Sequence, residues 1–81
     1  MNDKIRAKLA QALKHSMAAQ GLEYTDLVHM TSLDLKVIGD ALAHGLIDAI
    51  DLIILCRPLR LSAFQLISRM EYELSVQAPN Y

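Results

Sequence analysis

The feature that most constrains this chain is the stretch of residues 24–45, YTDLVHMTSLDLKVIGDALAHG, in which apolar side chains recur at intervals of three and four. Leu27 and Val28 supply one apolar face, and the period resumes after a short break at Leu33, Val37 or Ile38, and Ala41 or Leu42. Such spacing predicts two short amphipathic helices rather than strands. Thr31 and Ser32 mark the turn between them. The rest of the chain is organised around this pair.

Two residues at the turn have specific roles in this prediction. Asp34 stands just before the second helical run, where a short acceptor side chain can satisfy the free amide groups of the first turn. Leu33, beside that cap, is then expected to lock the turn into the core. Leu33→Asp should accordingly unfold the domain, because it would bury an unpaired carboxylate.

The residues of this pair resemble those of the small helical DNA-binding domains of the Cro and lambda-repressor type, often called the Xre family. That family has an alanine-like residue after the first leucine, a small residue at the turn, an aliphatic residue, a polar cap and a second aliphatic residue. The matching positions here are Val28, Ser32, Leu33, Asp34 and Ile38. The resemblance continues through LIDAIDLIILCRPLRLSAFQLI and covers residues 5–67. It implies an all-α, compact five-helix domain of the lambda-repressor-like DNA-binding type.

The resemblance also implies which residues would meet DNA. In the family, the second helix of the pair enters the major groove and its outward residues read base edges. Lys36 can contact a guanine edge or a phosphate, Leu35 can touch a thymine methyl group, and Gly39 permits close approach. Asp40 is unfavourable beside phosphates unless it accepts from a cytosine amino group. The full set of implied DNA-binding residues is Tyr24, Leu35, Lys36, Gly39, Asp40, Ala43 and His44.

The charge of the chain does not favour tight DNA binding. The formal net charge is −1, and neither half is basic, since residues 1–45 carry five basic and five acidic side chains and residues 46–81 carry three and four. Proteins that bind duplex DNA tightly usually concentrate lysine and arginine on one face. A dimer could still gather such groups from both subunits along one surface: Lys4, Lys8, Lys36 and His44.

Three further helices are predicted around the central pair. The first covers residues 3–20 and is closed by Gly21 as a left-handed cap. One side of it carries Lys4, Lys8, Gln11 and His15, which form either a solvated face or an edge that meets phosphates. The fourth helix covers residues 48–57, with Asp48 as its cap, and should end or kink at residue 57 because of Pro58.

The final helix opens at Ser62, which forms a capping box with Gln65. The predicted organisation is one helix-turn-helix domain over residues 1–76, with an extended final helix, and a flexible tail over residues 77–81. The predicted core includes Leu9, Leu13, Leu27, Leu33, Ile38, Leu55, Leu59 and Leu66.

The apolar content of the chain predicts self-association. Hydrophobic residues make up 53% of the sequence against 21% charged, and the mean hydropathy is +0.23. The fourth helix is apolar on nearly every side, and the final helix outlasts the family core, so we expect a homodimer rather than an apolar monomer. The predicted interface consists of Ile50, Ile54, Phe64, Ile67, Met70 and Leu74.

Several classes of protein are not favoured. A single cysteine, Cys56, permits no internal disulfide and is expected to be a small buried hydrophobe. The three histidines are too widely spaced for a metal site, so no metal or cofactor is predicted. No nucleophile is credibly spaced with a base, which argues against an enzyme. The apolar runs are too short for a membrane span and residues 1–9 are unlike a signal peptide, so a cytoplasmic location is expected.

Two functions remain open at this point. The first is a small transcriptional regulator that binds duplex DNA as a dimer, as the family resemblance implies. The alternative is a helix-turn-helix-like domain that acts through protein–protein interaction, as an inhibitor or adaptor, without DNA binding. The scarcity of base-reading side chains on the second helix and the high apolar content motivate the alternative.

Overall fold

The structure, a computed structural model, describes residues 3–77 and is built from α-helices. The five helices are α1 (Asp3–Ala19), α2 (Tyr24–Thr31), α3 (Leu35–His44), α4 (Ala49–Leu59) and α5 (Ala63–Gln77). No strand occurs within residues 3–77, so the prediction of a compact all-α arrangement of five helices is confirmed. None of these helices is both long enough and apolar enough to cross a membrane.

The core forms where α3 packs against α1, and α2, α4 and α5 close the remaining sides. Ile38, Ala41 and Leu42 lie on one side of α3 and are fully buried. Seven of the eight predicted core residues are buried, and the exception is Leu33, which is half-buried at the edge of the cluster. Leu33 lies in the connection between α2 and α3 rather than in a helix, so only part of its side chain reaches the interior.

The turn between α2 and α3 is stabilised by Thr31 and Ser32. Ser32 adopts a left-handed conformation (φ 62°), and its N–H donates to the carbonyl oxygen of Val28 at 2.8 Å. The Thr31 hydroxyl donates to the Leu27 carbonyl at 2.6 Å and accepts from the Leu33 N–H at 3.1 Å. The predicted turn is therefore present and is held by the side chain of its own first residue.

Asp34 occupies the N-cap position of α3, as predicted, but the capping hydrogen bond is not formed. Its carboxylate accepts from none of the amides that the structure describes at the start of α3. The first two residues of that helix, Leu35 and Lys36, are exposed, so water can satisfy their free amides. The capping role assigned to the Asp34 side chain was wrong, although the helix begins at the expected residue.

Left-handed glycines end α1 and α3. Gly21 (φ 68°) follows α1, which ends at Ala19, one residue before the predicted end. Gly45 (φ 66°) caps α3 and donates its N–H to the carbonyl of Ala41 at 2.9 Å. Gly45 also lies directly against the backbone of Arg6 in α1, where a Cβ would overlap the Arg6 carbonyl. This close approach holds the end of α3 against α1.

The fourth helix is longer than predicted. The Asp48 carboxylate accepts from the Asp51 N–H at 2.8 Å, which confirms the cap. The helix continues through Pro58 to Leu59, so the predicted end at residue 57 was wrong. Pro58 lies in the last turn, where its ring removes a single hydrogen bond, and Arg60 closes the helix in a left-handed conformation (φ 58°).

The last helix begins as predicted. The Ser62 hydroxyl accepts from the Gln65 N–H at 3.2 Å, which is one half of the expected capping box. Gln77, the first residue of the predicted tail, is the last residue of α5. The remaining tail positions, 78–81, lie outside the described residues.

The contact between Gly45 and Arg6 leads to a first prediction. Gly21→Ala and Gly45→Ala both place a Cβ on a left-handed residue, which costs about 1 kcal/mol. At Gly21 no described atom beyond its chain neighbours lies within 4 Å of that Cβ, whereas at Gly45 the Cβ meets the Arg6 backbone. We expect Gly45→Ala to lower the free energy of unfolding by at least about 2 kcal/mol more than Gly21→Ala in urea titrations. Equal losses would show that α3 and α1 are not held this closely.

Burial of Cys56 leads to a second prediction. The residue belongs to the core, and burial raises the pKa of its thiol. Because the thiolate is the reactive form, Cys56 should react with a disulfide reagent at pH 8 only as fast as the domain opens. The unfolded chain in urea, with the same single thiol, is the control and should react at the rate of a free cysteine. Fast reaction in native buffer would mean that α4 does not seal the core.

Candidate functional site

The outward side of α3 is the candidate DNA-binding surface. The buried side chains of Ile38, Ala41 and Leu42 attach this helix to the core and leave its other side at the surface. Of the seven predicted DNA-binding residues, five are exposed and two are half-buried; the exposed ones are Tyr24, Leu35, Lys36, Ala43 and His44, and the half-buried ones are Gly39 and Asp40. Six of the seven belong to α3, and Tyr24 is the first residue of α2.

The two charged side chains on this surface bind each other. Lys36 Nζ lies 2.9 Å from Asp40 Oδ2, one turn further along the helix. The Lys36 side chain is 83% exposed and that of Asp40 is 41% exposed, so solvent screens the pair. An exposed ion pair of this spacing stabilises a helix by only about 0.3–0.5 kcal/mol. The pair matters more for DNA binding than for stability, because Asp40 already neutralises Lys36, the lysine predicted to contact DNA.

Gly39 lies between the two charged residues, and the fold does not require a glycine there. Apart from its chain neighbours and the nearby backbone of its own helix, no described atom comes within 4 Å of a Cβ placed on Gly39, and its backbone is helical. A glycine inside a helix costs about 1 kcal/mol relative to alanine. Since neither conformation nor packing accounts for Gly39, what it provides is open space beside Lys36 and Asp40.

The polar stripe of α1 faces α5 over part of its length. Lys8 Nζ lies 2.8 Å from Glu73 Oε2 and so joins the two helices. Lys8, Gln11 and His15 line a groove of about 700 Å³ between α1 and α5, and its apolar lining includes Leu9. All four residues of the stripe are exposed, as expected of a solvated face, and Lys8 in addition binds a carboxylate of the same chain. The phosphate-binding edge stays a prediction.

Apolar side chains are also exposed on α4 and on α5. Ile50 is 71% exposed and Phe64 is 78% exposed, and Ile67 and Leu74 are also exposed. Along α5, the spacing from Phe64 to Ile67 to Leu74 places the three side chains on one side of the helix. These four residues of the predicted dimer interface therefore do reach the surface.

The other two predicted interface residues are only partly exposed, because part of each side chain is buried within the domain. Ile54 is half-buried, and Met70 is half-buried and packs against the core cluster. The prediction did not include Ile53, which is 51% exposed. Ile53 follows Ile50 by three residues, so the helical period of the sequence could have predicted that both lie on the same side of α4. The exposed apolar line on α4 consists of Ile50 and Ile53.

The described part of the chain shows no arrangement typical of metal binding. Within residues 3–77, no group of three or more histidine, cysteine, aspartate or glutamate side chains is placed to hold a metal ion. Cys56 is enclosed by the core. The candidate surfaces for a partner are the outward side of α3, the groove between α1 and α5, and the exposed apolar residues of α4 and of α5.

The open space at Gly39 leads to a third prediction. Gly39→Ala should raise the free energy of unfolding by up to about 1 kcal/mol, because the Cβ removes the helix cost of glycine without a clash. Lys36→Ala, the matched exposed substitution on the same surface, should change it by less than about 0.5 kcal/mol. Urea titrations of both variants measure this. A destabilised Gly39→Ala protein would mean that the backbone at Gly39 is in contact within the domain.

Comparisons with known proteins assign no family to the chain. No protein-family model matches it, and neither a curated protein nor a solved structure does so. Inferences about function accordingly rest on the residues of this sequence and on the surfaces they form.

Proposed function

We propose that this domain is a small transcriptional regulator of the lambda-repressor-like type that binds duplex DNA as a homodimer, with α3 in the major groove. The observation that carries the proposal is the presentation of α3: three buried side chains hold one side to the core, and all predicted base-facing residues of its other side reach the surface. An α-helix presented in this way fits the width of the major groove. The proposal includes a cytoplasmic location, no cofactor and no catalytic activity.

Dimerisation is part of the proposal because of the weak charge of the α3 surface. One copy of α3 offers a single lysine, and that lysine is paired with Asp40. Two copies related by a twofold axis would contact two half-sites about one DNA turn apart and so double the number of base contacts. The exposed apolar residues of α4 and α5 supply a surface that such a dimer would bury.

A fourth prediction tests DNA binding. Titration of fluorescent genomic fragments at two salt concentrations should give saturable binding that weakens as salt increases, because phosphate contacts release counterions. Lys36→Ala should weaken this binding, whereas Lys14→Ala, an exposed lysine on α1, should leave it nearly unchanged. Absence of binding above background at low salt would contradict the proposal. Equal binding by the wild type and Lys36→Ala would remove α3 from the interface.

The alternative function, protein–protein interaction as an inhibitor or adaptor without DNA binding, is favoured by two specific observations. The Lys36–Asp40 pair neutralises the predicted DNA surface, and Ile50 and Phe64 expose most of their apolar area. Exposed apolar patches commonly mark sites of protein interaction. The same titration decides between the two functions, since this alternative requires that no duplex fragment binds.

A fifth prediction tests the dimer. Phe64→Glu should convert a dimer to a monomer in sedimentation equilibrium at micromolar concentration, since it places a charge in a desolvated interface. Phe64 is exposed in the domain, so the substitution should leave the helical circular-dichroism signal unchanged. Val76→Glu is the matched control, because Val76 is exposed on the opposite side of α5 from Ile67 and should not affect association. A wild type that sediments only as a 9.0 kDa species would contradict the dimer at that concentration.

A further inference from the structure

We propose that the Lys36–Asp40 ion pair reads one G·C base pair as a unit, with the Lys36 ammonium donating to guanine O6 and N7 and the Asp40 carboxylate accepting from the cytosine amino group. This inference rests on the proposed function, since it specifies what α3 recognises in DNA. It assigns Asp40 a positive role in binding, although its charge alone opposes the approach of phosphates.

Two side chains within residues 35–43 of α3 can form hydrogen bonds to a base, and His44, in the last turn of the helix, lies beyond this stretch. Over residues 35–43, Lys36 and Asp40 are the only positions with polar side chains. The outward neighbours Leu35 and Ala43 can make apolar contacts but no hydrogen bonds. Gly39 lies beside the pair, and its open Cβ position leaves room for a base edge. Any hydrogen-bond readout by this stretch of side chains must therefore come from the ion pair.

The spacing of the pair fits the major-groove edge of a G·C pair. Lys36 Nζ and Asp40 Oδ2 are 2.9 Å apart. Guanine O6 and the cytosine amino nitrogen are joined by an N–H···O hydrogen bond, whose usual length is about 2.9 Å. The Lys36 ammonium can thus face guanine O6 while the Asp40 carboxylate faces the cytosine amino group, and the ion pair stays intact. No charged group has to lose its partner on binding.

The order of donors and acceptors distinguishes G·C from A·T. Across the major groove, G·C presents two adjacent acceptors, N7 and O6, followed by one donor, which matches an ammonium followed by a carboxylate. An A·T pair presents its donor between the N7 acceptor and the O4 acceptor, with a methyl group beyond. In the same register the Lys36 ammonium would face the adenine amino group, donor against donor, and the Asp40 carboxylate would face thymine O4, acceptor against acceptor. G·C is therefore the pair that satisfies both side chains.

The experiment begins with selection from a random-sequence duplex pool by the wild-type protein. At each position of the selected site, G·C is then replaced by A·T or by 7-deazaguanine·C, which lacks the N7 acceptor. Dissociation constants are measured by anisotropy for the wild type, Lys36→Ala, Asp40→Asn and Asp34→Asn. Asp34→Asn is the matched control, because it removes the same charge from the other acidic residue at α3 without touching the pair.

For the wild type we expect one G·C position per half-site at which A·T lowers affinity by about tenfold or more, with a smaller loss for 7-deazaguanine. Lys36→Ala should abolish this preference. Asp40→Asn should shift it toward A·T, because a carboxamide can bind adenine N6 and N7. Asp34→Asn should change affinity equally for all duplexes and keep the preference.

Three results would overturn the inference, and only the third also overturns the proposed function. If the pool is bound but no G·C preference depends on Lys36 and Asp40, the inference fails while DNA binding stands. If Asp40→Asn and Asp34→Asn both raise affinity uniformly, Asp40 acts only through its charge and the inference also fails. If the pool is not bound above background at low salt, the proposed function fails and the inference fails with it.

Discussion

The packing of α3 against α1 is the interaction on which the rest of the structure depends. Ile38, Ala41 and Leu42 bury one whole side of a ten-residue helix, and Gly45 lets the end of that helix touch the backbone of Arg6. A helix of this length is marginal in isolation, so its stability comes from this burial. The same contact determines which residues of α3 remain at the surface.

The surface that results is small and nearly neutral. Its charged groups, Lys36 and Asp40, are paired at 2.9 Å, and its centre is a glycine that the domain itself does not require. A surface of this kind gains little from counterion release, which supplies most non-specific affinity for DNA. If it binds DNA, as we propose, base contacts and dimerisation have to contribute an unusually large share of the affinity.

The remaining helices divide their apolar residues between the core and the exterior. In α4, Leu52, Leu55 and Cys56 face inward while Ile50 and Ile53 face outward. In α5 most apolar side chains of the described residues are exposed, and Leu66 is the buried one. A chain of 81 residues has too little interior to enclose them all. The exposed remainder is consistent with either of the proposed partners, a second copy or another protein.

The sequence by itself determined where the helices lie and most of the core, because helical period, glycine caps and the Asp48 and Ser62 caps act over a few residues. It also placed the turn at Thr31 and Ser32. The sequence misled at two positions where local rules compete. The Asp34 side chain lies at the N-cap but forms no capping hydrogen bond in the described structure. Helix α4 continues past Pro58, because the loss of one hydrogen bond in a final turn is tolerated.

Tertiary structure alone decided the relations between distant residues. It paired Lys8 with Glu73, buried part of Met70, and made Gly45 a contact point with Arg6. No local pattern contains this information, because each relation joins helices whose distance and rotation are set by the packing of the whole core. The sequence could nominate the residues of the α3 surface, whereas only the packed helices determined which of them reach solvent.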